Sequence, residues 1–271
     1  MGLTKLTRYG LFRNAFEVLE RQEFSNRYMF ENINEIKEMY YNSAIIIEGM
    51  EEIINDDNEL LMENTFEELI DNNIRQINDD KFVDIIRSSI ERQINDKREK
   101  NKKLEFKDYF RFLLRSLTEY QNKMIDNNFI RRKEPFETRR GRPQTFLSYA
   151  YSDKGITLAL YYMFEVKGGF LYVNWMWEGS NNDGKITKKE LESALVESDQ
   201  FLFLRTPNSE LHIKGNNSIR QWCSWEIGFF YLKNRAEKYY TSFYDKRPTR
   251  NDMLDTFSAM LDVVNGEVIG L

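Results

Sequence analysis

The stretch TFLSYAYSDKGITLALYYMFEVKGGFLYVNW, residues 145–175, decides the fold class. TFLSYAY (145–151) reads as a buried strand with small and polar residues towards its C-terminal end. SDKGITLALYYMFEVKG (152–168) reads as a helix, with Ser152 or Asp153 placed to cap it. Gly168-Gly169 ends that helix, and FLYVNW (170–175) is a second strand. Strand, helix and strand joined by tight loops predict a parallel pair crossed by a helix.

The alternation continues to the end of the chain. TKKELESALVESD (187–199) is a helix with a capping box from Thr187 to Glu190. QFLFLRTP (200–207) is a third strand, SIRQWCSWEIGFFYLKNR (218–235) a third helix, and KYYTSFYD (238–245) a fourth strand. NDMLDTFSAMLDVV (251–264) closes the pattern as an amphipathic helix, with Met253, Leu254, Phe257, Leu261 and Val264 on one face. SELHIKGNN, between the third strand and third helix, reads as a polar loop. The expectation is a parallel sheet covered by helices, with ligands at the carboxyl ends of its strands.

Upstream the character changes. All four prolines, all four tryptophans and ten of the thirteen glycines lie from Pro135 onwards. Before it, long helical stripes run: Ile33, Ile36, Tyr40, Ile47 and Ile54; Phe82, Ile86, Ile90 and Ile94; Phe106, Phe110, Leu113, Leu117, Tyr120 and Met124. These predict a bundle of four to six helices over 1–134, with DKREKNKK (96–103) as a solvated helix end or loop. RRKEPFETRRGRPQ (131–144) carries two prolines, a glycine and six basic residues, and places a linker at 135–143 ahead of an α/β domain at 144–271. No internal repeat of fixed period stands out.

Composition narrows the chemistry. The 271 residues carry a net charge of -5, which gives no general pull towards nucleic acid or anionic membrane. No apolar run approaches the roughly 20 residues that span a bilayer, and the N-terminus has no apolar signal core. Gly2 matches the myristoylation pattern only at the glycine. A cytoplasmic location is expected. One cysteine, Cys223, allows no intrachain disulfide and no zinc site built on several cysteines. One histidine, His212, would have to serve any Ser-His-Asp triad or His-based metal site, and it sits in the polar SELHIKGNN segment. Cys223 reads as a small core residue, and Arg205, after the third strand, as a minor phosphate-facing candidate.

GSNNDGKITKKELESAL (179–195) imitates a calcium loop, with Asn181, Asp183, Gly184, Ile186 and Glu190 near the EF-hand spacing. The context argues against calcium. A strand precedes the loop instead of a helix, and Gly179 stands where the first carboxylate is required. No metal site is expected.

The stretch that carries chemistry is Trp222-Cys223-Ser224-Trp225-Glu226. On a helix, Trp222 and Glu226 are one turn apart and share a face. An indole can stack on a base or pyridinium. A carboxylate beside it can bond ribose hydroxyls and stabilise positive charge at an anomeric carbon. The competing reading is an amphipathic helix with core tryptophans and a surface glutamate.

These segments together resemble the TIR (Toll/interleukin-1 receptor) family. TFLSYAYSD is similar to its first strand and following loop. FLYVNWMWEGSNNDGKI looks like its second strand and BB loop. ITKKELESALVESDQFLFLRTPN looks like its second helix and third strand, and WCSWE matches its WxxxE motif. The likeness covers about residues 144–265 and stops short of the helical half. It implies a flavodoxin-like sheet, TIR-like, and an NAD+-cleaving site. It carries over Glu226 as the catalytic residue, with Trp222 as its motif partner. It implies that Tyr149, Ala150, Tyr151, Ser152 and Asp153 line the pocket and that Trp177 to Lys185 gate it. Asn174 stands where many members have Asp, which leaves the nucleotide contacts open. The polar BB loop, without the proline of the adaptor branch, fits a microbial enzyme.

The activity implied is an NAD+ nucleosidase releasing nicotinamide and an ADP-ribose product, linear, cyclic or conjugated. It needs no prosthetic group and acts in cell defence, with TIR–TIR self-association and a helical half that senses a trigger or drives assembly. Two alternatives stay open: a TIR scaffold without chemistry, and an enzyme like the nucleoside deoxyribosyltransferases.

Overall fold

A computed structural model describes residues 8–21, 29–55, 77, 79–132, 141–180, 185–213, 216–234, 239–243 and 258–259. The helical half holds α1 (Arg8–Glu20), α2 (Ile33–Asn55), α3 (Asp80–Glu99) and α4 (Phe106–Asn128). The expected stripes face inward: Ile36, Tyr40, Ile47, Phe82, Ile86, Ile90, Leu113 and Leu117 are all buried. Asp79 caps α3 through the amide of Phe82, and Glu105 and Asp108 form a capping box on α4.

The second half alternates: β1 (Gln144–Ser148), α5 (Lys154–Val166), β2 (Phe170–Tyr172), α6 (Lys188–Glu197) and β3 (Gln200–Arg205). Then come β4 (Glu210–Ile213), β5 (Asn216–Ile219), α7 (Gln221–Asn234), β6 (Tyr239–Phe243) and β7 (Ser258–Ala259). The main sheet is parallel throughout, in the order β2-β1-β3-β6-β7. Numbered along the chain within that sheet, the order is 2-1-3-4-5, one of the doubly wound orders. Right-handed crossovers then put α5 on one face and α6 with α7 on the other. The packing agrees, since α6 touches α7 while α5 packs on α1 and α4. The winding reverses between β1 and β3, and in sheets of this order ligands bind at the carboxyl ends of the strands beside such a reversal.

Helix α5 joins the two halves. Every residue from Lys154 to Phe164 is buried, because the sheet covers one side and α1 and α4 the other. A helix covered all round must be apolar all round, and LALYYMF meets that demand. One hydrophobic cluster runs from Leu11 and Phe12 through α5 to the sheet strands. Gly168, at φ +76°, ends α5 in the left-handed region, as Gly168-Gly169 predicts.

Several elements depart from expectation. The second strand stops at Tyr172, and Asn174–Met176 form a 3-10 turn. That turn sends the Trp175 indole N–H to Thr157 Oγ1 at 3.2 Å and lays Trp177 back on Phe170. The SELHIKGNN segment is a β-hairpin, not a loop: Glu210–Ile213 pair antiparallel with Asn216–Ile219, and α7 starts only at Gln221. The expected helix over 251–264 is contradicted at Ser258–Ala259, which add a strand beside Tyr240 and Thr241. The free edge of β6 offers unpaired backbone groups that such a strand satisfies. The rest of 251–264 lies outside the described residues. Asp153 occupies the N-cap position of α5 yet makes no capping bond, because its carboxylate is engaged elsewhere. At the margins of the expected linker, Arg132 pairs with Trp177 and Arg142 makes a two-pronged bond to Glu165 at 3.0 Å on each arm; 133–140 lie outside the described residues. Among the described residues no helix is long and apolar enough to cross a membrane.

Candidate functional site

Helix α7 carries apolar residues on both its inner and its outer side. Cys223, Glu226, Ile227 and Phe230 point inward at helical spacing, while Trp222, Tyr231 and Leu232 are exposed. The competing reading of this helix, tryptophans inside and glutamate outside, is therefore inverted for Trp222 and Glu226. Glu226 is 3 % exposed and Trp222 49 %. A carboxylate in an otherwise apolar inner stripe is costly, so its surroundings must account for it.

Glu226 Oε2 accepts a hydrogen bond of 2.5 Å from the hydroxyl of Ser148, the last residue of β1. Burial pushes the Glu226 carboxyl up to about 8, against the opposing pull of hydrogen bonds from Ser148 and the Trp222 side chain. Around it, burial together with the charge on Glu226 raises the Tyr149 hydroxyl and pushes the Cys223 thiol up to about 12, and burial with the charges of Glu190 and then Glu226 raises the Tyr172 hydroxyl. Cys223 donates to the Tyr149 carbonyl at 3.6 Å and is structural, not nucleophilic. At neutral pH this is a carboxylic acid near its own midpoint, at the carboxyl end of a central strand.

The loop after β1 continues the site. Tyr149 sends its hydroxyl to Asn174 Oδ1, tying the ends of β1 and β2 together. Ala150 is buried, and Tyr151 is 65 % exposed with the Lys154 ammonium 4.2 Å from its ring centroid. Ser152 is exposed and gives its carbonyl to Asn122 of α4. Asp153 is buried and accepts from Thr206 Oγ1 and Asn208 Nδ2, both at 2.6 Å. Burial raises its carboxyl, while these two bonds and the charges of Arg8 and Arg220 oppose the rise.

Of the residues picked out from sequence, Glu226, Trp222 and Tyr149 thus form one group, and Tyr149 links Asn174 to it. Asp153 holds a second group at the end of β3. Trp177 is placed elsewhere: it is 1 % exposed, packed on Phe170, with the Arg132 guanidinium 5.5 Å from its ring. Arg205, the last residue of β3, is buried. Of the expected gate, Asn181 to Gly184 lie outside the described residues. Its base is anchored: Glu190 accepts from the amides of Ser180 and Thr187 at 2.8 and 2.7 Å. Burial works to raise the Glu190 carboxyl, but these bonds outweigh it and leave it lowered. Both Glu190 oxygens are thereby engaged, so the calcium-like spacing has a capping cause. Among the described residues, no group of three or more His, Cys, Asp or Glu is arranged to hold a metal ion.

Sequence reasoning missed Ser148, Thr206, Asn208 and Arg220. Ser148 carried a signal, as the polar residue ending an apolar strand. The other three come together only through the β4–β5 hairpin, whose base Arg220 closes with an N–H to Ser209 O bond of 3.1 Å.

Comparison with protein-family models, with curated proteins and with solved structures finds no match.

Proposed function

We propose that this protein is a TIR-like NAD+ nucleosidase in which Glu226 is the working carboxylate. The observation that carries this reading is the burial of Glu226 beside Ser148 at the strand-end switch point, next to a half-exposed indole. A buried acid poised near neutrality is costly in a purely structural role and useful in a reacting one. NAD+ suits it for a physical reason. The nicotinamide ring is a fixed cation that can stack on Trp222, and its charge favours the ionised carboxylate. Glu226 then bonds the ribose hydroxyls and stabilises the oxocarbenium-like state as nicotinamide leaves. The attacking oxygen or nitrogen forms the new bond at the anomeric carbon and any proton it sheds passes to the Glu226 carboxylate or solvent, while the electron pair of the broken bond departs with neutral nicotinamide. Flavodoxin-like winding, TIR–TIR self-association and a defence role belong to the same proposal.

The test is NAD+ consumption by concentrated purified protein, with products separated by chromatography and mass, alongside Glu226→Gln. Nicotinamide release that is lost by at least 100-fold in the variant supports the reading. Equal NAD+ loss in both proteins overturns the role of Glu226. Cleavage of deoxynucleosides in preference to NAD+ moves the reading to the deoxyribosyltransferase class.

A further inference from the structure

The loop that carries Asp153 is held from two sides, one in each half of the chain. On the helical side stands Asn122 of α4. Its Nδ2 donates to Ser152 O at 2.7 Å, and its Oδ1 accepts from the Lys154 amide at 3.1 Å. These two bonds bracket Asp153. On the sheet side, the two Asp153 oxygens are taken by Thr206 and Asn208. Thr206 Oγ1 in turn accepts the amides of Asn208 and Ser209 at 3.0 and 2.9 Å. Arg220 closes the turn from the other end, donating its amide to Ser209 O and its Nε to Asn208 O. Arg220 O then accepts the Ser224 amide at 2.9 Å within the first turn of α7, the helix of Glu226.

We infer that the helical half sets the geometry of the strand-end group around Glu226, with Asn122 as a positioning residue that acts through Asp153 on the turn holding α7. The inference rests on Glu226 as the working residue of that helix. The packing leaves α4 little room to shift independently of this loop. Tyr40 of α2 donates to Gly155 O at 2.7 Å, and a Cβ on Gly155 would lie 2.2 Å from Gln121 Oε1 of α4. Lys154 adds an ion pair to Asp126 of α4. Displacing α4 therefore moves the backbone on both sides of Asp153, and a buried carboxylate with both oxygens bonded transmits that movement. A trigger that shifts the helices would reach Glu226 by this route without touching the strand ends.

The experiment is amide hydrogen exchange on the full chain as wild type, Asn122→Ala and Asn122→Asp. Asn122→Asp keeps the acceptor for the Lys154 amide, loses the donor to Ser152, and provides a milder lesion should the alanine variant fold poorly. The expected result is exchange at Asn208, Ser209 and Ser224 accelerated about tenfold or more, with Ile86 and Ile90 of α3 unchanged. The midpoint of the Glu226 carboxyl, read by carbon-13 resonance, also moves. Acceleration confined to residues 151–155, or spread evenly through α3, overturns the inference. This readout needs no substrate, so equal NAD+ loss in wild type and Glu226→Gln would overturn the role of Glu226 while the relay is still judged by exchange.

Discussion

The Ser148 hydroxyl donates to Glu226 Oε2 across 2.5 Å, joining the last residue of β1 to the middle of α7. It is a bond to the charged form of the carboxyl and so opposes the burial that raises it. Ser148→Ala removes that opposition. The Glu226 midpoint should climb above its present value of about 8, read by carbon-13 NMR of the carboxyl. If turnover needs the carboxylate, kcat/KM of the wild type rises through that pH, and the rise shifts to higher pH in Ser148→Ala. An unmoved midpoint would mean that the bond has no electrostatic weight.

Glu226 should also set a pH dependence of stability. Its folded midpoint of about 8 lies above the ordinary 4.5, so its contribution is fully present below 4.5 and is lost as pH rises to about 8. Glu226→Gln carries no such loss. Relative to wild type, the variant should gain on the order of 1 kcal/mol per pH unit across that window and level off above it. Urea melts at pH 5 and pH 8.5 check this, and parallel pH curves for the two proteins would refute it.

Cys223 is 1 % exposed, its thiol is pushed up to about 12, and it lies behind Tyr149. Alkylation by iodoacetamide at pH 8 should be at least 100-fold slower in the folded protein than in urea. Activity should survive the attempt. Rapid labelling of the folded chain would contradict the burial.

Gly179 lies where the loop after β2 closes on itself. A Cβ there would stand 1.9 Å from the Lys185 carbonyl oxygen, so the backbone must give way. Gly179→Ala should cost about 1–3 kcal/mol and expose the Ser180 amide that Glu190 now holds. Chemical denaturation and exchange at Ser180 measure both effects. Wild-type stability in the variant would show that the loop opens freely.

Short apolar runs and breakers made the strand–helix–strand core legible, because such runs and Gly168-Gly169 act locally. The capping box at Thr187 and Glu190 was legible for the same reason, and it gives the later half of the calcium-like spacing another cause. The hairpin at 210–219 was not legible. Its polar residues carry little periodic signal, and its pairing is between strands. Helix 251–264 was misread at Ser258–Ala259 because the unpaired edge of β6 outweighs local helical preference.

Sequence alone determined the α/β class, the helical N-terminal half, and the Trp222–Glu226 pairing on one helix, since each follows from spacing along the chain. Only the tertiary structure decided which of that pair is buried. Glu226 turns inward because α7 presents Cys223, Glu226, Ile227 and Phe230 to the sheet, and Ser148 meets it there. Tertiary structure likewise decided that Trp177 joins the core, and that Asn122 of the helical half holds the loop of the site. Contacts between residues far apart in sequence depend on how the helices and sheet pack, and no local pattern records them.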